Sequence, residues 1–170
     1  MLVPFTQLPP DARVWVFAAA RALSADEQRH VLGAVDAFLH DWTAHGEPLA
    51  ASRDLRYDQF LFVAVDESAA GASGCSIDAM VRVLTALEAR IGVPLTDHGP
   101  VLFRDASGVR RVERPEFARL AREGAVTSDT VVFDNTLTRL SDLQAGRWEI
   151  PARDSWHQRA FFSSPAAARA

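Results

Sequence analysis

Lysine is absent from the 170 residues of this chain, and all 18 basic side chains are arginine. That excludes Schiff-base chemistry, any lysine base, and the lysine with which a P-loop grips phosphate. Cysteine occurs once, at Cys75, so no internal disulfide supports the fold. No stretch approaches the roughly 18 apolar residues needed to span a bilayer. The opening Met1-Leu2-Val3-Pro4-Phe5-Thr6 has neither a basic leader nor a long apolar run, and the expected location is the cytoplasm. Positive charge is not in excess either. A net charge of −4 and a pI near 5.7 argue against bulk electrostatic binding to nucleic acid or anionic membrane. Repeats and low-complexity linkers are also missing.

What is present is an ordinary globular composition, 48% hydrophobic and 24% charged, long enough to bury a real core. Ala12–Ala19, built around Arg13-Val14-Trp15-Val16-Phe17, reads as a first strand. Ser24-Ala25-Asp26-Glu27 is a capping box opening a helix. On that helix Val31, Val35, Phe38 and Trp42 share a face with Leu32 and Leu39 beside them, and His45-Gly46 and Pro48 end it. Leu49–Tyr57 reads as a more polar strand, which Asp58-Gln59 turns into the strongest strand signal, Phe60–Val65. After the loop Asp66–Gly74, the spacing of Ile77, Met80, Val81, Leu84, Leu87 and Ile91 predicts a second helix over Ile77–Ile91, stopped by Gly92 and Pro94. Pro100–Arg104 is a further strand.

The order βαββαβ predicts an α+β fold, a ferredoxin-like sandwich over residues 1–104 with its first and third strands central. Trp15, Phe17 and Phe60–Val65 place apolar side chains on both faces of such a sheet. The face without helices therefore needs a cover, from the C-terminal extension at 105–162 or from a second subunit, and the extension, packed on the core, is the expected one. Monomer and homodimer both remain open. In the extension a hairpin turns at Asp105–Gly108, Pro115 introduces a short helix over Glu116–Arg122, and Thr130–Phe133 is a strand. Residues 163–170 are expected to fray.

The chemistry-bearing residues begin with Ser73-Gly74-Cys75-Ser76-Ile77-Asp78, at a strand-to-helix corner. Unpaired N–H groups and the positive helix end favour a thiolate or a bound anion there. Cys75 reads either as a nucleophile or as a small packed residue beside a serine N-cap, and Asp78 in the first turn opposes the nucleophile. The candidate bases are His157, in Ser155-Trp156-His157, and His45. A ferredoxin-like arrangement puts His45 at the wrong end of the sandwich for Cys75. Candidate ligand-binding residues are Ser73, Gly74, Ser76 and Asp78, with Asp66 and Asn135 after apolar strands. Trp148 and Trp156, in polar and proline-containing surroundings, are expected to be partly exposed toward a partner. No metal-ligand spacing occurs, and neither a metal nor another cofactor is expected.

Ala12-Arg13-Val14-Trp15, Trp42-Thr43-Ala44-His45-Gly46-Glu47-Pro48-Leu49, the cysteine hexapeptide, Val132-Phe133-Asp134-Asn135, Trp148–Pro151 and Ser155-Trp156-His157 carry a resemblance. Together they resemble a small family of uncharacterised bacterial proteins of about this length, often labelled ABC transporter ATPase. The resemblance spans residues 2–162 and implies no established activity. The ATPase label does not fit, because nucleotide hydrolysis by such a domain needs a Gly-Lys-Ser/Thr loop and this chain has no lysine. Residues 116–152 are also similar, locally, to GYF-type modules that bind proline-containing peptides, although the GYF tripeptide is missing.

Two functions remain. One is a non-catalytic module binding a small anionic ligand or a protein partner; the other is a cysteine-dependent hydrolase or acyl transferase using Cys75 with a histidine base.

Overall fold

The computed structural model describes residues 1–68 and 71–163 of the chain. All but the first residue of the expected frayed tail lies outside the described residues. The chain is a mixed α+β protein with antiparallel sheets, divided into two units that interleave in sequence. One comprises Met1–His98 with Thr136–Ala145, the other Gly99–Asn135 with the chain from Gly146 onward. The division falls after His98 rather than after Arg104, and a short later segment returns to the first unit.

In the first unit, β1 (Arg13–Ala18) leads to α1 (Ala25–His40). The capping box forms as read: Ser24 Oγ accepts from Glu27 N–H, and the Glu27 carboxylate accepts from Ser24 N–H. The helix ends at His40, earlier than its apolar pattern implied. Thr43–Ala44 (β2) and Glu47–Pro48 (β3) then pair as a small hairpin. His45 and Gly46, with φ of 54° and 84°, form its turn. A two-residue hairpin of this kind needs positive φ at both central residues, a role glycine fills freely and histidine tolerates better than most. His-Gly is thus a hairpin turn, not a helix terminator.

The chain continues into β4 (Ala51–Arg56) and β5 (Phe60–Val65), which pair antiparallel from Ala51↔Val65 to Arg56↔Phe60. The sheet order is β1-β5-β4, so the apolar third strand is central and the more polar second one lies at an edge, as its sequence implied, whereas the first strand, expected to be central, lies at the other edge. All six residues of β5 are buried. One sheet face, with Phe17, Leu61, Val63 and Val65, packs against Val31, Val35 and Leu39 of α1 and against Met80, Leu84 and Leu87 of α2 (Gly74–Ile91). Val14, Val16, Phe60, Phe62 and Ala64, on the opposite side of the pleat, are buried too. Val81 stands at the rim of the α2 stripe and is exposed. Gly92, at φ 69°, closes α2 in the left-handed conformation predicted for a helix C-terminus.

The expected fourth strand does not join this sheet. β6 (Val101–Asp105) pairs with β7 (Gly108–Val112) and β8 (Val131–Phe133), and β9 (Glu149–Pro151) completes a separate sheet of order β7-β6-β8-β9. The open edge of β1 is met instead by residues 138–140. Val14 N–H donates to Thr138 O, Leu140 N–H donates to Ala12 O, and Arg13 and Arg139 form an antiparallel bridge. This contact joins residues more than a hundred positions apart, which local patterning does not encode.

In the second unit, α3 (Arg114–Arg122) starts with Pro115 in its first turn. Phe117 on α3 lies at the centre of a cluster with Val101, Phe103, Val126, Val132 and Ala152. A further short helix, α4 (Leu140–Gln144), belongs to the first unit and buries Leu140 and Leu143. Five residues with two leucines are too short to show a periodicity.

Candidate functional site

The cysteine corner starts a helix earlier than its apolar spacing implied. Ser73 is the N-cap of α2, its Oγ accepting from Ser76 N–H at 3.2 Å, and Ser76 Oγ donates back to Ser73 O at 2.8 Å. Gly74 and Cys75 are the first two helical residues, so their N–H groups have no acceptor within the helix. Asp78 consequently lies beyond the first turn, which contains no acidic residue. The objection that a carboxylate there already answers the helix dipole loses its geometric basis.

Cys75 is exposed. It lines a pocket of about 330 Å³ together with Ser73, Ser76 and Ala79 of the α2 corner, Phe38 and Asp41 from the end of α1, and Trp42–His45 of the hairpin. His45 therefore shares a pocket with Cys75, contrary to its expected place at the far end of the sandwich. The physical reason is the hairpin, which carries the chain back across the start of α2 instead of letting it leave α1 in line. Trp42 fastens the two together. Its indole is buried, 3% exposed, and Nε1 donates to Ser76 O at 3.0 Å. Phe38 and Trp15 pack against the same indole, with ring centroids 5.3 and 6.1 Å away. Read from sequence as part of the α1 stripe, Trp42 is instead the clamp between hairpin and helix corner.

His157 has different surroundings. It belongs to the second unit, 1% exposed, between the Trp156 ring stacked at 3.8 Å and the Phe117 and Phe161 rings at 6.2 Å. Its Nδ1 shares a 2.7 Å hydrogen bond with Ser155 Oγ, which also accepts from the His157 backbone N–H. Burial lowers the imidazole pKa to about 4, against the pull of Asp134 and with the push of Arg114. This is the environment of a neutral core histidine, not of a solvent-accessible base.

Asn135 and Trp148, both expected to meet a ligand, engage each other. Trp148 Nε1 donates to Asn135 Oδ1 at 2.9 Å, and Trp148 is 3% exposed, against the exposure expected of it. Its indole packs on Phe133 at 5.0 Å, so the nearby Pro151 marks the end of β9 rather than a wet surface. Trp156 remains half-buried, with the Arg114 guanidinium 5.0 Å over its ring.

Asp66 lines another, larger pocket of about 560 Å³ in the first unit, with Asp11, Arg13, Glu67, Ser68, Thr138 and Arg139. Among the described residues no cluster of three His, Cys, Asp or Glu side chains is placed to hold a metal. No helix among them is long and apolar enough to cross a membrane. The chain matches no family model, no curated protein and no solved structure.

Proposed function

We propose that this protein is a non-catalytic ligand-binding module, located in the cytoplasm, whose first unit is a ferredoxin-like sandwich with its fourth strand reduced to the Arg139 bridge. One observation carries the reading: Ser73, Cys75 and His45, from two separate elements, line one pocket at the start of α2. The first-turn N–H groups and the positive helix end supply donors for a small anion, and His45 supplies a further polar group in the same lining. Attachment to a protein partner through the tryptophans has less support, because Trp148 is buried and Trp156 half-buried. ATP hydrolysis of the transporter type has none, since no lysine is available for the phosphates.

Thermal melting with inorganic phosphate and small carboxylates tests the proposal. A saturable rise in Tm, lost in His45→Ala, is expected; ligand at a hundred times Kd stabilises by about 2.7 kcal/mol. No rise at millimolar ligand, or an undiminished rise in His45→Ala, would overturn it.

A second reading, a thiol-dependent hydrolase or acyl transferase, draws on the exposure of Cys75 and on His45 in the same pocket. There the Cys75 proton would pass to His45 as the thiolate adds to an acyl carbonyl carbon, and first-turn N–H groups would hold the oxyanion. Its collapse would break the bond to the leaving group with the proton returned from His45, and water or an acceptor would then cleave the thioester. Iodoacetamide labelling across pH separates the two readings. A thiolate reacting well below the ordinary cysteine range favours the enzyme; an ordinary titration leaves the binding module.

A further inference from the structure

The bridge on the open edge of β1 sets two arginines side by side. Arg13 and Arg139 are direct antiparallel partners, flanked by the Val14 N–H to Thr138 O and Leu140 N–H to Ala12 O hydrogen bonds. That is the non-hydrogen-bonded type of pair, with Cα atoms about 4.5 Å apart and side chains on one face. Like charges directly opposite each other destabilise such a pair unless something of opposite charge lies between or beside them. Arg13 has a partial answer, with Glu67 at 3.6 Å and the Trp15 ring 4.7 Å from its guanidinium. Arg139 is exposed and has no ion pair among the described residues.

The carboxylates lining the same pocket show the same asymmetry. Glu67 accepts from Ala72 N–H as well as facing Arg13, and Asp66 Oδ1 accepts from Ser68 N–H. Asp11 is exposed and has no hydrogen bond or ion pair among the described residues. Among the described residues, the lining thus holds one uncommitted cation and one uncommitted anion, around a pocket of about 560 Å³.

We propose that this pocket binds a small zwitterion, an α-amino acid, with its carboxylate on Arg139 and Arg13 and its ammonium on Asp11 and Asp66. A guanidinium fork matches a carboxylate in two hydrogen bonds, and the ligand's negative end relieves the repulsion between the two arginines. A simple anion would answer the arginines but face three carboxylates on the same lining. A simple cation would face the arginine pair. Only a ligand with both charges satisfies both the arginines and the carboxylates of the lining. The pocket is distinct from the cysteine corner, and the inference does not depend on the function proposed for that corner.

Amide chemical-shift titration of the intact protein tests this, with free L-glutamate, L-leucine and L-arginine, their N-acetyl and α-amide forms, and inorganic phosphate as probes. The expected result is saturable shifts at Arg13, Asp66 and Thr138 with at least one free amino acid. Affinity should fall ten-fold or more when either end is capped, and equally in Arg139→Gln and in Asp11→Asn. Both variants alter exposed side chains, and the capped ligands probe the same point in the unaltered protein. Equal binding of capped and free forms, phosphate binding as tightly as any amino acid, shifts confined to Ser73–Cys75 and His45, or no shifts at all would each overturn the proposal.

Discussion

The two histidines closest to candidate chemistry, His45 and His157, occupy opposite kinds of environment. His45 is exposed at a hairpin turn with positive φ, on the wall of the pocket that also contains Cys75. His157 is sealed among aromatic rings, hydrogen-bonded to Ser155, with a pKa pushed down to about 4. By sequence His157 was the better partner for the cysteine and His45 the worse. Structure reverses the preference. The difference teaches that a histidine beside Ser and Trp can be a core residue when the tryptophan stacks on it, whereas a His-Gly dipeptide leaves its imidazole in solvent.

Changes at the closed site should have the largest effects. Phe117→Ala empties the centre of the second unit's core, where Phe117 is fully buried against Phe103 and Phe161. It should cost about 3–5 kcal/mol in urea unfolding. A loss under 1 kcal/mol would mean that Phe117 is not the centre of a closely packed cluster around His157.

Next comes pH. An imidazole with a folded pKa near 4 against an ordinary 6.5 resists protonation in the folded state only. Its contribution is therefore complete above about pH 6.5 and is lost progressively as pH falls toward 4. In His157→Gln, Tm measured across that window should fall less steeply with acid than in the parent. Parallel profiles would show that His157 does not set the acid limb.

Smaller effects are expected at the open site. Trp42→Phe deletes the donor to Ser76 O while keeping an aromatic ring, and should cost about 1 kcal/mol. Ser73→Ala removes the α2 cap, also at about 1 kcal/mol. Smallest of all, Cys75→Ser on an exposed helix turn should move stability by less than about 0.5 kcal/mol. A large loss on Cys75→Ser would return the thiol to the packed role considered from sequence, and the contrast between the two sites would weaken.

Much of the fold was legible because it is local. The Ser24–Glu27 capping box, the Gly92 stop, the Pro115 helix start and the buried run Phe60–Val65 follow from dihedral preference, end-group hydrogen bonding and apolar patterning within a few residues. The candidate site was legible only in part. The hexapeptide marked the α2 corner, but the helix was read three residues short because Gly74, Cys75 and Ser76 interrupt its apolar spacing. The hairpin has a signal in His45-Gly46 between Thr43-Ala44 and Glu47-Pro48, masked by the apolar pattern that continues at helical spacing to Trp42. Arg139 had no signal, since its neighbour Arg13 is distant in sequence.

By itself, then, the sequence determined the identity of most helices and strands, the central place of Phe60–Val65, and the exclusion of lysine chemistry, an internal disulfide and a P-loop. Those follow from residue types and short-range periodicity. Which strand completes which sheet, which histidine shares a pocket with Cys75, and which arginines stand side by side were decided by tertiary structure alone. Each depends on pairing between residues far apart along the chain, where the hydrogen bonds of an open strand edge accept any backbone and only the packed fold selects one.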